Sequence, residues 1–426
     1  MVMAAMPGIA TADPPSLWQA VAARGEVAAK TKRKRAQTRS PAKAATAGET
    51  AAGKILSRKE LLAADPGALE RIGRHIIIGY HSIADVKALV ERKAIAGIFV
   101  TDHNVRRRKA EDIRAEMDSL QEIRRSQGLP PLIISADQEG GSVSRLTPPL
   151  KRQSSLARVI RKLPPEGDMK AAVEEYARLQ AAELNRIGVN LNFSPVVDLM
   201  IDPKRRSDGQ TQLRHRALSS DPNIVRDVSG WYCDTLATAG VYCTIKHFPG
   251  LGRVSLDTHR SAGEIRSAIV ELNGADWIPF RDLMSRPHVV TMLGHVRLAE
   301  IDKAVPASFS EPVVTGLMRT NWQHEGLLIT DDFSMGAVTR SPQGVGGAAV
   351  KALNAGVDLV LVSYSEKHLN AVMTALLEAD AKGEIDADKR AASIKRLSAY
   401  PFPIAPAIEL PVPKATSTAT DADATP

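Results

Sequence analysis

Between residues 75 and 364 the chain repeats one pattern eight times. A short run of apolar, largely β-branched residues is followed by a longer stretch in which apolar positions recur every three or four residues. The short runs are HIIIGY (75–80), AGIFVT (96–101), PLIISAD (131–137), VNLNFSPVVD (189–198), VYCTIKHF (241–248), HVVTML (288–293), GLLITDD (326–332) and VDLVLVSY (357–364). Several are nearly unbroken apolar runs, as expected of parallel strands covered on both faces.

The longer stretches read as helices. IADVKALVERK follows Ser82, whose hydroxyl suits an N-cap. AAVEEYARLQAAELNRIG puts Val173, Tyr176, Ala177, Leu184 and Ile187 on one face, and Gly188 stands where a helix closes on a left-handed residue. NIVRDVSGWYCDTLATAG and AAVKALNAG have the same form, each ending on glycine just before a strand. Eight βα units over about 350 residues predict an α/β chain folded as a single (β/α)8 barrel; a doubly wound open sheet shares the alternation and is the alternative. The barrel spans 54–403. Residues 1–53, basic and Ala-rich, and 404–426, rich in Pro, Ala and Thr, read as disordered tails.

Charge alters the picture little. The net charge is +8, but residues 1–60 carry 11 Lys/Arg against 4 Asp/Glu, so the rest is close to neutral. The basic balance belongs to the tail, and nothing in the folded part requires nucleic acid. Cys233 and Cys243 form no CxxC or Cys/His spacing and are expected to be free thiols. No apolar run reaches the ~18 residues needed to span a bilayer. The N-terminus lacks a basic region and Pro7 interrupts its apolar stretch, so a cytoplasmic location is expected. The oligomeric state is not legible.

A barrel predicts that chemistry gathers at the C-terminal ends of the strands. Polar residues collect there: Asp137, Glu139 and Arg145 after the third run, Lys246 and His247 at the end of the fifth, His295 after the sixth, Asp331 and Asp332 after the seventh. Either of the last two would serve equally as a helix cap. Lys246-His247 at the end of a buried strand implies a polar pocket, because an ammonium is not buried without partners. His247, His259, His295 and Asp257 match no HExxH or facial-triad pattern, so neither a metal nor another cofactor is expected.

ISADQEGGSVSRL, NFSPVVDL, KHFPGLGRVSLDTH, PASFS and ITDDFSMGAV, in this order, resemble glycoside hydrolase family 3 over about residues 70–370, and most closely its single-domain bacterial β-N-acetylglucosaminidases. The resemblance implies a retaining hydrolase of terminal β-linked GlcNAc, acting on a small carbohydrate or peptidoglycan-derived muropeptide through a covalent glycosyl-aspartate. It implies Asp331 as the nucleophile, where the residues alone leave Asp331 and Asp332 open. It implies His259 as acid/base with Asp257 as its partner, on a loop that Gly250 and Gly252 would let swing. Asp137, Arg145, Arg216, Lys246 and His247 would bind sugar, Asp137 by accepting hydrogen bonds and the others by donating them. Leu251 stands where many relatives have His, Leu218 replaces an aromatic residue near Arg216, and Gly336 stands where an acidic residue is common. The alternatives are a phosphorylase, since a histidine acid/base does not repel phosphate, and a non-catalytic glycan-binding barrel.

Overall fold

The computed structural model describes residues 54–201, 211–254, 262–363 and 365–404. The two expected tails fall almost wholly outside these residues.

All eight runs become strands of one parallel sheet. They are β1 (Ile76–Gly79), β2 (Gly97–Val100), β3 (Ile133–Ala136), β6 (Leu191–Asn192), β7 (Tyr242–Phe248), β9 (Val289–Leu293), β11 (Leu328–Thr330) and β12 (Val360–Val362). Neighbours in sequence are neighbours in space, and β1 pairs with β12. The last gap closes where Ile329 bridges Leu359 and the Thr330 N–H donates to the Leu359 carbonyl at 3.0 Å. This closure selects the (β/α)8 barrel over the doubly wound sheet.

Helices follow the strands: α1 (Ile83–Glu91), α2 (Ala110–Ser126), α3 (Met169–Arg186), α4 (Pro222–Thr238), α5 (Trp277–Leu283), a π-helical segment Pro312–Asn321, α6 (Gly344–Asn354), α7 (Glu366–Ala381) and α8 (Ala387–Ala399). The Ser82 hydroxyl accepts from the Asp85 N–H and caps α1. On α3, Val173, Tyr176, Ala177 and Leu184 are buried, and Gly188 takes φ +80° just beyond its end.

Apolar burial divides between two layers. The larger lies between strands and helices. The smaller fills the barrel through alternate strand residues, among them Ile77, Phe99, Ile133, Phe193, Met292, Ile329 and Leu361, and includes Leu397, Tyr400 and Phe402 from α8 and the segment after it. This plugged interior is a core, and the polar residues of the strand ends stand above it.

Three features depart from the sequence expectation. Cys233 and Cys243 are not free thiols but form a disulfide, with Cα atoms 5.4 Å apart. The turn at Gly240 lays β7 back along α4 and brings the two together, a proximity that motif spacing does not reveal. Two small sheets also add to the barrel: the hairpin β4 (Gln138–Gly140) with β5 (Val143–Ser144), and the parallel pair β8 (Gly263–Ile265) with β10 (Val296–Leu298). Both stand beyond the C-terminal ends of barrel strands and build up that rim.

Candidate active site

A cavity of about 360 Å³ opens among the C-terminal ends of the strands, within the ~300–1,000 Å³ usual for small-molecule sites. Phe99, Phe193, Met292 and Leu361 line it from the barrel interior, and the rings of Phe99 and Phe193 stack at 5.4 Å. Asp137, Glu139, Arg145, Arg216, Lys246, His247, Asp331 and Asp332 line it as well. The structure therefore gathers six residues expected from sequence, Asp137, Arg145, Arg216, Lys246, His247 and Asp331. The other two, Asp257 and His259, lie outside the described residues.

The β7 end carries two adjacent cavity residues, although side chains of a regular strand alternate between faces. The register of β7 against β9 shifts between Ile245 and Phe248, and Lys246 and His247 both line the cavity. Lys246 Nζ lies 2.7 Å from Asp137 Oδ1 and 2.6 Å from Glu139 Oε1. Burial opposes its charge, but Asp137 and Glu139 outweigh that and raise its pKa.

Glu139 is the hub of this wall. Arg216 donates to it through Nε at 2.9 Å and through a terminal nitrogen at 2.7 Å, and uses its other terminal nitrogen on the Thr211 carbonyl at 2.8 Å. Burial would raise the Glu139 carboxyl, yet Arg216 and Lys246 together hold it down to about 2. Burial likewise opposes the Arg216 charge, and Glu139 raises its pKa in spite of it. The Tyr176 hydroxyl fixes the backbone here by donating to the Glu139 carbonyl at 2.9 Å. Gly140 and Gly141 have φ +86° and +63°, and a Cβ on Gly140 would lie 2.4 Å from both the Ser154 carbonyl oxygen and the Tyr176 hydroxyl. The GlyGly pair is therefore required by the hairpin that presents Glu139. Arg145, exposed at the mouth, makes no ion pair among the described residues.

The two aspartates after β11 differ in their bonding. Asp332 Oδ1 accepts the N–H groups of Ser334 and Ser363, both at 2.9 Å, and Oδ2 accepts the Ser363 hydroxyl. Asp332 thus ties the ends of β11 and β12 together. Asp331 Oδ1 accepts the Asp332 N–H at 2.8 Å, and its half-buried side chain lines the cavity. Neither caps the short helix Gly336–Thr339, which begins after Met335. His295 uses Nδ1 on the Ser308 hydroxyl at 2.7 Å and Nε2 on the Asp332 carbonyl at 3.0 Å, and so supports this corner from behind.

Sequence reasoning passed over Asp198. It is fully buried, and its Oδ2 lies 2.7 Å from His247 Nδ1. Its Oδ1 accepts the N–H groups of His247 at 3.2 Å and Leu251 at 2.7 Å. One carboxylate thus holds both a cavity side chain and the backbone at Leu251, where the short helical turn Leu251–Arg253 begins. A Cβ on Gly252 would meet the Leu199 carbonyl oxygen at 2.3 Å, so this position requires glycine for a close approach to the backbone that precedes Met200. Position at a strand end was the available signal for Asp198, and adjacency to Asp137 was the signal for Glu139.

The family model described as glycosyl hydrolase family 3 N terminal domain matches residues 68–399. Beta-hexosaminidase LpqI of Mycobacterium tuberculosis is 29% identical over 345 residues, covering 78% of this chain and 82% of that protein. A beta-hexosaminidase of Xylella fastidiosa is 33% identical over 282 residues, covering 64% of this chain and 77% of its own. Among solved structures, a glycoside hydrolase family 3 beta-N-acetylglucosaminidase from Paenibacillus sp. superposes with TM-score 0.71 at 28% identity over 78% of this chain, which spans 61% of that enzyme's chain. Mycobacterium tuberculosis LpqI gives TM-score 0.68 at 27% identity, covering 80% of this chain and 98% of its own.

Proposed function

The chain belongs to glycosyl hydrolase family 3, and from that membership we propose that it is a retaining β-N-acetylglucosaminidase with Asp331 as nucleophile. It is a glycoside hydrolase of the β-hexosaminidase kind. Asp331 and Asp332 both line the cavity that holds the cationic pair Lys246 and Arg216, and the observation that favours Asp331 is that both oxygens of Asp332 are engaged by Ser334 and Ser363, which gives Asp332 the task of joining the ends of β11 and β12.

A sugar in this cavity would meet Asp137, Arg145, Arg216, Lys246 and His247 as hydrogen-bonding partners. Asp331 Oδ would attack the anomeric carbon as the bond to the leaving oxygen breaks, forming a glycosyl-aspartate that water then opens. His259, oriented by Asp257, would give its proton to the leaving oxygen and recover one from that water. The terminal residue read here is β-linked GlcNAc on a peptidoglycan-derived fragment. Among the described residues no helix is long and apolar enough to cross a membrane. The Cys233–Cys243 disulfide favours an oxidising compartment over the cytoplasm expected from sequence.

Aryl glycosides test the proposal. The wild-type chain should turn over an aryl β-GlcNAc faster than the β-glucoside or β-GalNAc and release free GlcNAc with or without phosphate. Asp331→Asn should lose nearly all turnover, and His259→Ala about 10²- to 10⁴-fold. Undiminished activity in Asp331→Asn would sink the assignment, and GlcNAc-1-phosphate as the main product would replace hydrolysis by phosphorolysis.

A further inference from the structure

The contact between Asp198 and His247 sets the direction of a hydrogen bond in the cavity. Asp198 Oδ1 is occupied by two backbone N–H groups, from His247 and Leu251, and Oδ2 lies 2.7 Å from His247 Nδ1. A carboxylate accepts at both oxygens, so the proton between Asp198 and the ring sits on Nδ1. A neutral imidazole has one N–H and one lone pair, and the lone pair then falls on Nε2. The ring lines the cavity, and among the described residues no hydrogen bond reaches Nε2.

We infer that Asp198 holds His247 as its Nδ1–H tautomer, so that His247 Nε2 accepts a hydrogen bond from a hydroxyl of the bound sugar. Asp198 is then a positioning residue, and His247 a specificity-determining acceptor. This reverses the donor role given to His247 by its sequence, and it rests on the reading of the cavity as a GlcNAc site. The chemistry around the ring fits. Lys246, Arg145 and Arg216 also line the cavity and can only donate. A hydroxyl both donates and accepts, so one that accepts from Lys246 or an arginine still needs an acceptor for its own hydrogen. His247 Nε2 provides that acceptor without adding a negative charge to a cavity that already contains four carboxylates, Asp137, Glu139, Asp331 and Asp332. An ether or fluorine at the same place could not donate and would leave the lone pair unmet.

Asp198→Asn separates this role from a merely structural one. Its Oδ1 can still accept the two backbone N–H groups, while its amide N–H₂ would face His247 Nδ1. That nitrogen must then accept, and the proton moves to Nε2. In the full chain, ¹⁵N shifts of the His247 ring should report Nδ1–H in the wild type and Nε2–H in Asp198→Asn. KM for an aryl β-GlcNAc should rise about tenfold in the variant, with kcat changed less, as for the loss of one buried hydrogen bond. Among the 3-, 4- and 6-deoxy forms of that substrate, one should already be poor for the wild type, and Asp198→Asn should add little to its loss. A proton on Nε2 in the wild type, whether as the Nε2–H tautomer or as the doubly protonated ring, overturns the inference, as do losses that add fully at every position. The ring shifts need no substrate. A wild-type chain inert toward aryl β-GlcNAc therefore overturns the substrate reading, while the tautomer still decides the role of Asp198.

Discussion

Lys246 and Arg216 are buried cations that share Glu139 as a partner, with Asp137 as a second partner of Lys246. Lys246 is 2% exposed, and the side chains of Arg216 and Glu139 are 11% and 6% exposed. Glu139→Gln preserves the shape of the side chain but removes the charge, leaving Lys246 with Asp137 alone and Arg216 with the Thr211 carbonyl. Removing one partner of a buried ion pair costs on the order of 3–5 kcal/mol, so denaturant unfolding should show a loss of that size together with a raised KM. The pH dependence follows from the lowered carboxyl. A group whose pKa is depressed by folding stabilises the fold above its unfolded value and loses that contribution as pH falls through the folded one. The advantage of the wild type over Glu139→Gln should therefore be full above about pH 4.5 and shrink as pH approaches 2. A difference independent of pH over that range would show that Glu139 acts through packing and not through charge. The sequence made the participants legible but not their bonding. Asp198 and His247 are 49 residues apart, and Glu139 and Arg216 are 77 apart. Strand-end position marks a residue as facing the rim; which rim residues pair depends on barrel geometry that no local pattern encodes.

Among the elements, the eight barrel strands were legible because each is covered by helices outside and by the interior core inside, so selection for apolar residues acts on both faces. The hairpin β4–β5 and the pair β8–β10 escaped, since strands of two or three residues carry no readable period and β8 finds its partner some 30 residues away. The disulfide escaped for a related reason. Cys233 on α4 and Cys243 on β7 meet only because the helix turns back on its strand, and both are fully buried. The link closes a short loop, with a sequence separation of 10, for which chain-entropy arguments give about 3 kcal/mol. Replacing both cysteines by alanine should lower the melting temperature without moving KM for an aryl substrate, because neither residue lines the cavity. Mass spectrometry of unreduced peptides should find the two joined. A melting temperature indifferent to the double substitution, or free thiols in protein recovered from an oxidising compartment, would remove the link from the account of stability.

For the molecule as a whole, charge and chemistry are segregated along the chain. Eight of the 56 Lys/Arg fall within residues 1–53 against 3 of the 48 Asp/Glu, a net +5 of the total +8, which leaves the remainder with a net charge near +3. The family match begins at residue 68, and the first barrel strand at Ile76. Two consequences can be measured separately. Turnover of a neutral aryl sugar depends on the barrel alone, so deletion of residues 1–53 should leave kcat/KM within about twofold, a change well under 1 kcal/mol of transition-state stabilisation. Attraction to anionic polymers or vesicles is expected to rest on the basic cluster within residues 1–53, so the full chain should partition onto them at low ionic strength and come off as the Debye length shrinks from ~30 Å at 0.01 M salt to ~8 Å at 0.15 M. The shortened chain should not partition at any salt concentration. If it still binds with the same salt dependence, the attraction arises from a basic patch on the barrel and the segregation argument fails. If it loses turnover instead, residues 1–53 contribute to the catalytic fold and are not a separable appendage.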